Sequence, residues 1–235
     1  MAIRDIYLQK SYTDYKEVTE VRKGVELEKY NDLATKDYSQ KRVIDIVLSI
    51  IGLIPLIILS PIIFIGIKTS SRGPIFFKQI RTGQNGRSFI VYKIRTMHNF
   101  ITDRSNNKPA LTQKEDPRVF KFGSFLRKSN LDELPQLLNV LKGEMSLVGP
   151  RPYMQDESTY WNNTFDDFFY RYAVKPGITG MAQVKGFRGG TFDEEHMRRR
   201  LDWDLIYVEK QSLRLDIKII FGTIMQMIRR KTNAH

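Results

Sequence analysis

The sequence predicts an α/β protein that is mostly helical, with a small β-hairpin and an apolar N-terminal helix that enters a membrane. Three observations predict this fold. Residues 43–67 contain one charged residue, Asp45, among 25 positions. Two β-forming segments flank an Asn-Gly turn at residues 85–86. Apolar residues recur at helical spacing in much of the chain after residue 118.

The composition narrows the classes of function. Thirty-eight Lys and Arg against 26 Asp and Glu give a net charge of +12, which predicts an anionic partner such as lipid head groups or phosphorylated substrates. Nucleic acid would explain the charge but not the apolar segment, so we expect no nucleic-acid partner. With no Cys and only three His, none of them in a spaced pair, we expect neither disulfides nor a zinc site nor a Ser-His-Asp triad.

Residues 1–40 form a polar arm of mixed charge. They show no signal-peptide pattern, because charges begin at Arg4 with no apolar stretch behind them. We expect the arm to pack on another part of the protein or to form a homodimer surface.

Residues 41–72 are expected to form the membrane helix. Its apolar part, 43–67, would measure roughly 37 Å as a helix, enough to cross a bilayer core. Pro55 and Pro61 each remove a backbone donor, and the Ser60 hydroxyl is placed to satisfy a carbonyl that Pro61 leaves free.

The manner of insertion stays open on the residues alone. Both flanks are basic, with Lys41 and Arg42 before the segment and Lys68 and Arg72 after it. Positive charge on both sides favours a helix that bends at Ser60-Pro61 and returns to the same membrane face. The alternative is a kinked spanning helix, in which Asp45 would pair with Lys41 or Arg42 at the interface.

The remaining residues, 73–235, are expected to form one domain continuous with the membrane helix. Strands are predicted at 74–79 and 88–92, and a polar surface loop at 101–117. Two helices follow from apolar spacing of three and four residues. They contain Leu131, Leu134, Leu137, Leu138 and Leu141, and then Leu213, Ile217, Ile220, Ile224, Met227 and Ile228.

The acidic pair Asp132 and Glu133 is the strongest candidate for chemistry. Pro135 places a helix start beside it, so the pair could simply cap that helix, with Asn130 and Glu133 as a capping box. Cations at Arg127 and Arg151 instead favour a carboxylate that stays ionised and attacks phosphorus. One carboxylate would then be the nucleophile and its neighbour a ligand for a divalent cation.

A glycine-rich stretch, 175–190, carries Lys175, Lys185 and Arg188. Glycines there would let the backbone approach phosphate oxygens. A turn-rich connector is the alternative interpretation.

Taken together, the motifs resemble the bacterial sugar transferase family of monotopic polyprenyl-phosphate phosphoglycosyl transferases. The resemblance covers most of the chain from residue 41 to about 228. The matching segments are KRVID (41–45), GPIFFKQIR (73–81), VYKIRTM (91–97), DPR (116–118), SNLDELPQLLNVLKGEMSLVGPRP (129–152), VKPGITG with AQV (174–184) and YVEKQSLRLDIKII (207–220).

The resemblance implies specific roles. Asp132 would be the nucleophile that takes the sugar phosphate, and Glu133, with Asp132, would hold Mg²⁺ or Mn²⁺. The membrane helix would be re-entrant and broken at Ser60 and Pro61. The residues expected near substrate phosphates are Lys93, Arg127, Arg151, Lys175 and Arg188.

The implied reaction moves a sugar-1-phosphate from a UDP-sugar to polyprenyl (undecaprenyl) phosphate on the cytoplasmic face of a bacterial inner membrane, as the first membrane step of surface polysaccharide assembly. The GFRGG run (186–190) is similar to members that use glucose or galactose. Two other functions remain to be separated from this one: a non-catalytic scaffold that binds anionic lipids, and a membrane phosphohydrolase that uses water as the acceptor.

Overall fold

The structure is a computed structural model that describes residues 30, 32, 39–98, 116–189 and 193–229. Over these residues the protein is mostly helical with a small antiparallel hairpin, which confirms the predicted class in outline. Most of the arm at 1–40 and most of the predicted loop at 101–117 lie outside the described residues, so the expectations for both stay predictions.

The first element is one long helix, α1 (Ser39–Ser70), which contains both Pro55 and Pro61. Its stretch Gln40–Ser70 is long and apolar enough to cross a membrane. Ser60 Oγ donates to the carbonyl oxygen of Ile57 at 2.7 Å. Ile57 is the residue whose carbonyl an N–H at position 61 would have served, so the serine replaces the donor that proline lacks.

The beginning of α1 is tied to the globular part by three side chains. Lys41 Nζ pairs with Asp216 Oδ2 at 2.5 Å. Arg42 donates to the carbonyl oxygens at the end of a later helix, 2.7 Å from Leu141 O. Asp45 accepts hydrogen bonds from Ser146 Oγ and from the Leu147 amide at 3.1 and 3.0 Å. The interfacial pairing of Asp45 with Lys41 or Arg42 is therefore wrong, because Asp45 is buried against a strand.

The end of α1 is held by the same globular part. Ile63 and Ile67 are buried with Phe120 and Leu126 in a cluster below the hairpin. After the helix, the Arg95 guanidinium donates to Ser71 O at 2.8 Å. Both ends of the apolar helix are thus fastened to one domain.

The hairpin consists of β1 (Phe76–Thr82) and β2 (Ser88–Ile94), paired antiparallel with Gln79 opposite Val91. Asn85, in the short 3-10 turn Gln84–Gly86, has a left-handed φ of 55°. Asparagine tolerates that conformation better than most residues, so the Asn-Gly signal correctly located the turn. The first strand begins and ends later than predicted, and the second ends later than predicted.

The rest of the domain is helical around one small parallel strand pair, which the sequence did not reveal. The pair is β3 (Ser146–Val148) with β4 (Gly177–Thr179). The helices are α2 (Lys121–Lys128), α3 (Leu137–Lys142), α4 (Gln155–Thr164), α5 (Met181–Val184), α6 (Glu194–Lys210) and α7 (Leu213–Ile228), with 3-10 segments at Leu131–Gln136 and Phe168–Ala173. The 175–190 stretch therefore forms β4 and α5, and is more than a connector.

The helix predicted from the leucine spacing at 131–141 needs correction. Its first half is the 3-10 segment Leu131–Gln136, and the α-helix begins only at Leu137. Pro135 has no backbone N–H to donate to an i−4 carbonyl, so regular α-helix starts after it. The acidic pair therefore lies in a tight turn between two helices.

Candidate active site

Asp132 and Glu133 do not form the capping box. Asn130 has a left-handed φ of 56° and makes no side-chain cap hydrogen bond. The backbone amide of Glu133 donates to Asn130 O at 3.2 Å, while the Glu133 carboxylate binds elsewhere. This excludes helix capping as the explanation of the pair.

Glu133 is held by two cations that the sequence places 40 residues before it and 18 residues after it. Lys93 Nζ, on β2, lies 2.7 Å from Glu133 Oε1. Arg151 Nη2 lies 2.5 Å from the same oxygen, and Arg151 Nη1 lies 3.3 Å from Oε2. Burial alone would raise the pKa of Glu133, but Arg151 and Lys93 outweigh it and hold that pKa well below its usual value.

Asp132 has different surroundings and a different pKa shift from Glu133. Its side chain is buried, and among the described residues none donates a hydrogen bond to its carboxylate. Burial and the adjacent Glu133 charge raise the pKa of Asp132 to about 6, against the opposing influence of Lys93, Arg127 and Arg151. The carboxylate is therefore mostly ionised at pH 7 and poorly solvated, as a reactive nucleophile is.

The other predicted phosphate-binding residues divide into three groups. Lys93 and Arg151 bind Glu133 directly. Arg127 Nε donates to Thr96 Oγ1 at 2.8 Å and its charge acts on Asp132. Arg188 is half-buried, 3.1 Å from Gln226 Oε1 on α7, and burial lowers its pKa with Arg151 acting in the same direction.

Lys175 is the exception. No hydrogen bond or ion pair joins its side chain to the acidic pair in the described part of the chain, so its phosphate-binding role stays a prediction.

Arg81 belongs to the site region although the sequence interpretation did not select it. Burial lowers the pKa of Arg81 to about 10, and Glu157, Arg151 and Glu133 all act on its charge. Its Nη1 donates to Pro152 O at 3.1 Å. The sequence signal that could have identified Arg81 was its position as a basic residue at the end of a β-forming segment, directly before the turn.

Asp132 and Glu133 are the candidate ligands for a divalent cation. No cluster of three or more His, Asp or Glu side chains occurs among the described residues. Mg²⁺, however, keeps several waters and usually takes one or two carboxylates together with substrate phosphates. Among the described residues, neither oxygen of Asp132 accepts a hydrogen bond and Glu133 Oε2 accepts one long one, so both side chains retain free lone pairs. The pair therefore fits a magnesium ion whose remaining ligands are water and substrate phosphate.

Comparison with known proteins places the chain in a family. The sequence profile of the family described as Bacterial sugar transferase matches residues 36–230. The chain is 45% identical over 186 residues to the UDP-glucose:undecaprenyl-phosphate glucose-1-phosphate transferase of Xanthomonas campestris pv. campestris, covering 79% of this chain and 37% of the relative. The chain thus spans well under half of that protein's length.

Two further relatives have other names and are covered by this chain to different extents. The UDP-N-acetylgalactosamine-undecaprenyl-phosphate N-acetylgalactosaminephosphotransferase of Aeromonas hydrophila is 38% identical, over 80% of this chain and 43% of its own. The exopolysaccharide production protein PSS of Rhizobium leguminosarum bv. phaseoli is 41% identical, over 83% of this chain and 98% of its own.

Proposed function

The chain belongs to the bacterial sugar transferase family, and we propose that it transfers a sugar-1-phosphate from a UDP-sugar to undecaprenyl phosphate. The observation that carries this proposal is the contrast between two adjacent carboxylates. Glu133 is neutralised by Lys93 and Arg151, whereas Asp132 is buried, ionised and without a hydrogen-bond donor in the part of the chain that the structure describes. Such a carboxylate suits nucleophilic attack on a phosphorus atom.

The proposed reaction has two displacements at one phosphorus. An Asp132 carboxylate oxygen bonds to the sugar-linked phosphorus of the UDP-sugar, the bond to the bridging oxygen breaks, and UMP leaves with that oxygen. A phosphate oxygen of undecaprenyl phosphate then attacks the same phosphorus. The bond to Asp132 breaks, which releases undecaprenyl diphosphate-sugar and restores the free carboxylate.

The cations around the pair offset the repulsion between an anionic nucleophile and an anionic diphosphate. Arg127 lies on the Asp132 side, and Lys93 and Arg151 lie on the Glu133 side. When bound, Mg²⁺ held by Asp132 and Glu133 supplies further neutralisation of the phosphate oxygens. Lys93 and Arg151 already balance Glu133, so we expect the cation to bind tightly only together with the diphosphate.

The apolar surface supports a membrane-bound arrangement. Large apolar side chains are exposed along α1, including Ile50, Ile54, Ile57, Ile58 and Ile62. A second exposed apolar face runs along α7, with Ile217, Phe221, Ile224 and Ile228. Exposed patches of this extent on a soluble protein would favour association or aggregation, whereas lipid would cover them.

We propose that α1 is re-entrant and bends at Ser60-Pro61, with the domain on the cytoplasmic face. Both ends of α1 are fastened to one domain, by Lys41 and Asp45 at the start and by Ile67 and Arg95 at the end. A helix that spanned the bilayer would separate its ends by about 30 Å of hydrocarbon. Attachment of both ends to one domain therefore supports a helix that returns to the face on which that domain lies.

The re-entrant arrangement can be tested by cysteine labelling, because the chain has no native Cys. Gln40→Cys and Arg72→Cys replace exposed residues at either end of the helix. In sealed inside-out membrane vesicles, a membrane-impermeant maleimide is expected to label both variants to the same extent. Labelling of one variant only, with the other labelled after permeabilisation, would show a spanning helix.

Activity is expected to depend on pH through Asp132. Its raised pKa of about 6 means that acid removes the nucleophile, so the rate of UMP release should fall as pH decreases through this region. Bound Mg²⁺ favours the ionised form, so its midpoint should lie at or below about 6. An unchanged rate down to pH 4.5, with the fold intact by tryptophan fluorescence, would contradict this assignment.

The function itself is tested by incubating the detergent-purified protein with Mg²⁺, undecaprenyl phosphate and a panel of UDP-sugars. UMP release with one donor, together with a lipid-linked product, is expected. The relatives use both glucose and N-acetylgalactosamine donors by name, so the panel must contain both. Free sugar phosphate without lipid product would indicate a phosphohydrolase, and no UMP with any donor would favour the scaffold.

A further inference from the structure

The turn that carries Arg151 is fixed at four consecutive carbonyl oxygens. We call residues 150–153 the Arg151 turn. Two of its carbonyls accept backbone hydrogen bonds: Gly177 N donates to Pro150 O, and Thr82 N donates to Tyr153 O, both at 2.9 Å. These bonds attach the turn to β4 on one side and to the end of β1 on the other.

The two central carbonyls accept from arginine side chains. Arg171 Nη2 donates to Arg151 O at 2.7 Å. Arg81 Nη1 donates to Pro152 O at 3.1 Å. Bonds from charged donors are roughly twice as strong as neutral ones, so these two contribute much of the restraint on the turn.

Arg171 is itself fixed from three directions. It is almost fully buried, and its Nη2 also lies 2.8 Å from Asp204 Oδ2 on α6. Its guanidinium stacks over the rings of Tyr153 and Phe168, at 4.3 and 5.0 Å from their centroids. A buried ion pair is costly to form and rarely adds net stability, so its placement against the Arg151 carbonyl calls for another explanation.

Arg81 is fixed in a similar way from the hairpin side. Its Nη2 donates to Gln79 Oε1 at 2.6 Å, and Glu157 Oε2 on α4 lies 3.6 Å from Nη1. The Arg151 turn is therefore held between β1, α4 and α6, whose positions relative to each other are set by the core.

We infer that Arg171 and Arg81 are positioning residues: they fix the backbone of the Arg151 turn, and so hold the Arg151 guanidinium on Glu133 beside the nucleophile. Neither arginine contacts the acidic pair through a hydrogen bond in the described residues. Arg171 acts through Arg151; Arg81 does so through the backbone of the same turn, and its charge in addition acts on Glu133. This inference rests on the proposed function for its kinetic readout, and on the geometry of the turn alone for its structural readout.

The kinetic test uses Arg171→Lys, which keeps the charge beside Asp204, but its shorter side chain ends one bond short of Nη2, the atom that donates to both Arg151 O and Asp204 Oδ2. We expect kcat for UMP release to fall about 10- to 100-fold, the effect of a reacting group displaced by about 1 Å, with KM for the UDP-sugar within threefold. The matched control is Arg198→Lys. Arg198 is likewise paired with carboxylates, Asp167 and Asp202, but it makes no hydrogen bond to the Arg151 turn among the described residues, and Arg198→Lys should leave kcat unchanged.

A double-mutant cycle distinguishes a positioning role of Arg171 from a general effect of the substitution on the fold. In the Arg151→Ala background, Arg171→Lys should have no further effect on kcat, because Arg171 acts through Arg151. If the two losses multiply instead, Arg171 has a separate structural role and the inference fails. If Arg171→Lys does not fold, Arg81→Lys takes its place in the same cycle, since it leaves the Asp204 pair intact.

Amide hydrogen exchange provides the readout that does not depend on activity. Thr82 and Gly177 donate to the Arg151 turn, so their amides should exchange at least about tenfold faster in Arg171→Lys and at the unmodified rate in Arg198→Lys. Unchanged exchange at both amides would overturn the inference, whether or not the protein releases UMP. Failure of the proposed function would instead appear as an inactive unmodified protein with the expected exchange pattern.

Discussion

Asp132→Asn is expected to abolish UMP release and, at the same time, to stabilise the protein. Asparagine is nearly isosteric but cannot form an acyl phosphate, so turnover should fall by at least about a thousandfold. Vesicle binding should not change, because Asp132 is buried and is not one of the exposed apolar residues of α1 and α7. The matched control is Asp156→Asn, an exposed carboxylate in the first turn of α4, which should retain full activity.

The stabilising effect follows from the raised pKa of Asp132. The pKa of about 6 in the folded protein lies above the ordinary aspartate value of 3.8, so the folded protein binds the proton more tightly than the unfolded chain does. The ionised carboxylate therefore destabilises the fold above pH 6, on the order of 1–3 kcal/mol. Asp132→Asn removes this cost at pH 7.5.

The direction of this change in stability can be checked by thermal unfolding at two pH values. At pH 7.5 the melting temperature of Asp132→Asn should exceed that of the unmodified protein. As pH falls from about 6 towards 4, the unmodified protein takes up the proton and the difference should shrink. Retained UMP release in Asp132→Asn would disprove the covalent mechanism, and a lower melting temperature at pH 7.5 would contradict the assigned environment.

Glu133→Gln is expected to reduce activity as well, but with the opposite effect on stability. Lys93 and Arg151 would lose their shared counter-charge, and two partly buried cations would face each other. Removal of one member of a buried ion pair costs about 3–5 kcal/mol. The Glu133 side chain is 19% exposed, so solvent screening reduces the expected loss to about 1–3 kcal/mol.

The activity loss in Glu133→Gln should be at least about a hundredfold, because the cations are displaced and a magnesium ligand is removed. Glu195→Gln is the matched control, since Glu195 also accepts from an arginine, Arg199, but at an exposed position. A Glu133→Gln protein with unchanged melting temperature and near-normal UMP release would mean that Glu133 only fills space between Lys93 and Arg151.

Local patterns predicted the elements that depend on local chemistry. The Asn-Gly pair located the hairpin turn, since Asn85 accepts a left-handed backbone. The apolar run predicted α1, and Ser60 serves the carbonyl that Pro61 leaves free. The spacing from Leu213 to Ile228 predicted α7, with its bounds. In the 131–141 segment, the leucine spacing predicted a helix that is too long. Apolar spacing does not take into account that Pro135 has no backbone N–H to donate.

The sequence by itself determined the candidates for the chemistry: the Asp132-Glu133 pair, Arg127, Arg151 and the apolar helix were named from residue types and order, and Lys93 from the family resemblance. Only the tertiary structure decided what surrounds each of them. It placed Lys93 and Arg151 on Glu133 and left Asp132 without a hydrogen-bond donor among the described residues. It buried Asp45 against β3, and it recruited Arg81 and Arg171 to the Arg151 turn. The reason is physical: pKa values and hydrogen bonds depend on distances between residues far apart in the chain, which only packing of the elements fixes.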